Sequence, residues 1–67
     1  MRNFVVKDEA AFRIRVKSWK CINPSNLNAL EFIQECKNDQ GEVDFTSTYN
    51  FLMTDEEIKT LAQGLLS

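Results

Sequence analysis

The sequence predicts an α+β fold, an antiparallel β-meander of three to four strands with one C-terminal helix packed on one face. Three observations predict it. Apolar and polar residues alternate from Phe12 to Lys17 and again from Val43 to Met53, the period of a half-buried strand. A capped amphipathic segment follows the second of these stretches. The chain's 67 residues leave no room for a second core, so residues 1–67 are read as one domain.

Taken in chain order, a first strand is expected near Phe4 to Val6, a turn around Lys7 to Ala10, and a longer strand from Ala11 to Cys21. A helix from Asp8 is the rival over this part, since Glu9, Ala10 and Ala11 tolerate one. The alternation of Phe12, Ile14 and Val16 with Arg13, Arg15 and Lys17 favours the strand. Asn23-Pro24-Ser25 marks a loop.

The stretch from Ser25 to Asn38 admits two readings. One is a helix capped by Ser25, with Ala29, Phe32, Ile33 and Cys36 as its stripe; the other is a strand with Leu30, Phe32 and Cys36 facing in. Register favours the strand. With Asn38-Asp39-Gln40-Gly41 as a four-residue turn, Cys36 faces Val43, Phe32 faces Ser47 and Leu30 faces Tyr49, so the two inner faces coincide. Lys37 opposite Glu42 adds a charge pair, and Gln34 opposite Phe45 is the one poor fit.

The C-terminal segment carries the clearest local signal. Thr54-Asp55-Glu56-Glu57 is a capping box, and Met53 and Ile58 stand where a hydrophobic staple wants them. Ile58, Leu61, Ala62 and Leu65 form one apolar stripe, so a helix starts at Asp55; Gly64 either ends it or sits inside it. The expected core has Phe12, Ile14, Val16, Leu30, Phe32, Val43, Phe45, Tyr49 and Phe51 on the sheet side, covered by Ile58, Leu61 and Leu65.

Composition narrows the chemistry. Histidine is absent, and the two cysteines, Cys21 and Cys36, cannot by themselves complete a structural zinc site, which normally takes four Cys/His ligands. Without imidazole or CxxC spacing neither thiol has an activating base, so Cys36 is expected as a buried structural residue and Cys21 as a free thiol. The two glycines, Gly41 and Gly64, cannot form a phosphate loop. No catalytic residue, metal or cofactor is therefore expected, and the chain reads as a non-enzymatic protein. No apolar h-region follows Met1-Arg2-Asn3 and no apolar run reaches membrane-spanning length, so the expected setting is cytoplasmic, with reduced thiols and no membrane partner. A core this small commonly needs an added staple, and oligomerisation is the one left, through sheet edges or faces; a homodimer is expected.

Charge is unevenly placed. Residues 1–20 hold six cations against two acids, a net +4, and residues 21–67 hold two cations against eight acids, a net −6. The strip Arg13, Arg15, Lys17 and Trp19 projects from the face opposite Phe12, Ile14 and Val16, its members about 7 Å apart from the strand rise. Two functions fit it. An outward Trp is the kind of residue that anchors a protein partner, and three cations with an indole can also follow a single-stranded nucleic acid. The plain alternative is a solvated strand face whose basic side chains block edge pairing, with Glu31 and Glu35 as ion-pair partners for Arg13 or Arg15.

The stretch "KNDQGEV", the aromatic strand "TYNFLM" and the segment "TDEEIKTLAQGL" together resemble small, mostly uncharacterised proteins of tailed phages over about half the chain. A meander followed by one helix is also similar, in architecture, to the PC4-type single-strand-binding fold. The first likeness implies a small regulatory module that docks onto a host protein. The second implies single-strand binding through Arg13, Arg15, Lys17 and Trp19, against which the acidic remainder of the chain stands. Docking onto a protein is the leading expectation, single-stranded nucleic-acid binding the alternative, and a small structural subunit a third.

Overall fold

The computed structural model describes residues 1–67 as β1 (Arg2–Asp8), β2 (Phe12–Lys20), β3 (Leu27–Lys37), β4 (Val43–Thr54) and α1 (Asp55–Leu66). The strands form one antiparallel sheet in the order β1-β2-β3-β4, so each strand pairs with its neighbour in sequence. The α+β class and the C-terminal helix stand as the sequence predicts, and the contested stretch is strand. No helix is long and apolar enough to cross a membrane.

Pairing keeps two faces apart. One face carries Phe4 of β1, Phe12, Ile14 and Val16 of β2, Leu30, Phe32 and Cys36 of β3, and Phe45, Tyr49, Phe51 and Met53 of β4. Its rings touch across the strands, Phe32 and Phe51 meeting edge to face at 5.9 Å. The other face carries the Arg13, Arg15, Lys17 and Trp19 strip with Ala29, Glu31, Ile33 and Glu35 beside it.

The β3–β4 register differs from the sequence expectation by two residues. Phe32 lies opposite Tyr49, Leu30 opposite Phe51 and Cys36 opposite Phe45. Two local features cause the slip. The turn takes five residues, because the Asn38 side chain accepts hydrogen bonds from the backbone N–H of both Gln40 and Glu42, while Gly41 adopts a positive φ of 79°. A bulge at the start of β4 then leaves Asp44 unpaired and sets Val43 across from Lys37. A shift of two preserves the face of every later residue, and it moves Gln34 from Phe45 to Ser47. Lys37 meets Asp8 and the Glu9 carbonyl instead of Glu42, and so ties the β1–β2 turn to the end of β3.

The helix starts where expected. The Thr54 hydroxyl accepts from the Glu57 N–H at 3.2 Å, and the Glu57 carboxylate accepts from the Thr54 N–H at 2.9 Å. Gly64 lies inside the helix. The packing of that helix across the sheet is where the structure departs from expectation. No helix residue is buried, Ile58 and Leu61 are half-buried, and Leu65 is exposed. The reason lies at the junction: β4 ends at Thr54 and α1 begins at Asp55, so no loop is present to turn the helix back over the strands. A polar latch holds the junction in place. Asp55 accepts hydrogen bonds from Lys20 and from the buried Asn28, both at 2.7 Å, and Asn28 also donates to the Met53 carbonyl.

The core is correspondingly small: Val16, Leu30 and Ile33 are the buried apolar residues. Ile33, absent from the expected core, is on the basic face, where the register sets it between Arg15 and Thr48. Phe45, Tyr49, Phe51 and Val43, expected inside, are exposed by 61%, 59%, 46% and 40%. Cys36, expected buried, is half-buried, as is Cys21, and both thiols are free.

Candidate functional site

The strip on β2 is arranged as the alternation requires, with Arg13, Arg15, Lys17 and Trp19 on one face. β3 supplies the residues that decide what the strip can do. Glu35 lies directly opposite Arg13, and its carboxylate accepts from the Arg13 guanidinium at 2.8 Å while standing 3.8 Å from that of Arg15. Arg15 also donates to the Asn3 side chain of β1 at 3.4 Å. Glu35 retains little exposure, and the two arginine side chains are about two-thirds covered.

This cluster perturbs the ionisation of its own members. The hydrogen bond from Arg13 holds the Glu35 carboxyl below its ordinary range, with the charges of Arg13, Arg15 and Lys37 adding to it against partial desolvation. The same bond holds Arg13 protonated beyond its ordinary range. Two of the three cations in the strip are therefore occupied within the sheet. Lys17, opposite Glu31, makes no ion pair and is the free cation.

Trp19 closes the strip at the end nearest the helix junction. It lies opposite Ala29, which lies opposite Leu52 on β4, so one row across the sheet reads Trp19, Ala29, Leu52. The small alanine leaves a gap between two large side chains. The result is an open recess of about 260 Å³, lined by Trp19, Ala29, Asn50, Phe51 and Leu52. Trp19 is 37% exposed and Leu52 66%, so both present apolar surface to solvent at its rim. Leu52 and Ala29 were not legible as site residues, because their role depends on the β3–β4 register. The signal available for Leu52 was an apolar residue on the polar side of an alternating strand.

As a chemical arrangement, the face offers an apolar notch with an indole wall and a single unpaired lysine roughly 7 Å along the strand. Its carboxylates are Glu35, committed to the arginines, Asp8, opposite Arg13 and bound to Lys37, and Glu31, opposite Lys17. No family model, curated protein or solved structure matches the chain, so the likenesses to small tailed-phage proteins and to the single-strand-binding fold gain no support from relatives.

Proposed function

We propose that the protein is a small non-enzymatic binding module that docks onto another protein, with Trp19 as the anchor. The observation that carries this reading is the notch formed by Trp19, Ala29 and Leu52, a concave apolar feature with an exposed indole on the face of the basic strip. An apolar side chain of a partner entering the notch would cover Trp19 and Leu52 together. Lys17, beside it, favours a partner whose rim is acidic there. Such docking is the means by which a small phage protein redirects a host factor, and that is the setting proposed for it.

Occupation of Arg13 and Arg15 by Glu35 speaks against the nucleic-acid alternative. A strand-binding face takes most of its affinity from cations free to meet phosphates. Here Arg13 would have to leave a charge-assisted hydrogen bond to Glu35, and Arg15 its ion pair with the same carboxylate.

The test is a native pull-down from source-cell lysate with the wild-type chain and with Trp19→Ala. A specific protein partner retained by the wild type should bind the variant at least about thirtyfold more weakly, the loss expected of an interface hot spot. The competing outcome is co-purifying nucleic acid. In that case affinity for a single-stranded oligonucleotide falls with salt at a log–log slope of about −2, as for three neutralised phosphates, and Lys17→Ala lowers that slope. The charge reversal of Arg13 and Arg15 is the poorer probe, since it sets new acids against Glu35.

A further inference from the structure

We infer that the uncovered aromatic face of the sheet is a self-association surface, and that its occupant is a second copy of the chain packed face to face about a two-fold axis. This surface is on the opposite side of the sheet from the Trp19 notch, and the inference stands apart from the proposed docking function.

The surface area of the chain points to the size of what is missing. A compact monomer of this mass exposes about 4,400 Å², whereas the chain exposes 5183 Å². The excess, about 800 Å², is what one partner contributes to a standard protein–protein interface. Shape agrees. The radius of gyration is 14.1 Å, against about 11 Å for a compact domain of this length. The smallest dimension, 15 Å, is that of a single layer, and stable folds need two.

The excess lies on the aromatic face. Phe4, Phe45, Tyr49 and Phe51 stand there 46% to 61% exposed, without a charged residue on β3 or β4 among them. The helix that would cover this face within one chain leaves β4 with no intervening loop and is latched at Asp55. Its own stripe, Ile58, Leu61 and Leu65, also lacks a full covering. A second copy supplies both missing partners at once, sheet face to sheet face with the helix stripes at the margin of the same apolar layer.

Charge selects the second copy, and the axis. On the aromatic face the charged side chains are Arg2, Lys7 and Lys20, all in the β1–β2 half, while β3 and β4 present none there. A two-fold axis along the strands lays β1 and β2 of one copy over β4 and β3 of the other, so these cations lie over the partner's uncharged aromatic half. An axis across the strands would lay like on like.

Light scattering at micromolar concentration should give twice the chain mass of 7.8 kDa. Tyr49→Glu, at a position 59% exposed in the single chain, should give a folded monomer by mass and circular dichroism. Cys36 provides a readout in the unaltered protein, because it is opposite Phe45 on the aromatic face while Cys21 follows the end of β2. On dilution into the monomer range, alkylation of Cys36 should quicken at least tenfold with Cys21 unchanged.

A monomer mass at micromolar concentration with Cys36 labelling independent of concentration would overturn the inference. So would a mass above that of a dimer, which would mean edge pairing, or a monomer in which the helix folds back to protect Tyr49. Trp19→Ala should leave the dimer mass unchanged; loss of the dimer on that substitution would place the self-association surface on the wrong face.

Discussion

At the residue scale, Glu35 decides the chemistry of the basic strip. It converts two of four projecting side chains from free cations into parts of an internal network. The sequence allowed this pairing but could not choose it, because Glu31 and Glu35 both alternate onto the same face and only the β2–β3 register sets Glu35 beside Arg13. The network has a pH signature. Asp8, held low first by its hydrogen bond to Lys37, Glu35 by that to Arg13, and Asp55 by those to Lys20 and Asn28, all bind protons more weakly when folded than when unfolded. Their contribution is complete above the ordinary carboxylate range and is lost as pH falls through the lowered values. Thermal melts between pH 7 and pH 2 should therefore show Glu35→Gln less stable than the wild type at neutral pH and converging with it in acid. A gap that persists unchanged at pH 2 would mean that the ion pairs contribute nothing.

At the scale of elements, the helix start and the strand identities were legible because both are local. A capping box needs four consecutive residues and alternation needs about six, and neither depends on what lies across the sheet. The two misread features are relational. The β3–β4 register hung on whether Asn38 gathers two N–H groups or one and on a bulge at Asp44. The fate of the helix hung on the direction in which it leaves Thr54. Thr54→Ala should cost about 1 kcal/mol in chemical denaturation through loss of the capping hydroxyl. Asn28→Ala should cost more, about 1–3 kcal/mol, since it strips a donor from the Met53 carbonyl and from Asp55 at a buried site. Equal effects of the two substitutions would show that the latch adds nothing beyond the cap.

For the whole molecule, the class, the strand order, the opposite charge of the two halves and the burial of Val16 and Leu30 could be read from the sequence, and the exposure of the β4 aromatics could not. Amphipathic patterning says that a face must be covered but not by which chain. Phe45, Tyr49 and Phe51 are patterned as core and stand exposed, while Ile33, between Glu31 and Glu35 on its face of β3, is buried on the basic side. The net charge of −2 and the acidity of β3, β4 and the helix lead to a further expectation. Duplex DNA should show no measurable binding at physiological salt in an anisotropy titration, because the potential repels a polyanion everywhere but along one strand.

The sequential order of the strands bears on how the sheet opens and closes. Every pairing joins neighbours in the chain, so each can form by closing a short loop, at small entropic cost and in any order. What ranks them is burial, and Val16, Leu30 and Ile33 all belong to the central pair β2 and β3. That hairpin should form early and come apart last. Amide hydrogens of Arg15, Lys17, Glu31 and Ile33 should exchange with solvent at the slowest rates, those of β1 at the fastest. The amides of β4 should join the slow class only as protein concentration rises, when the edge no longer frays independently.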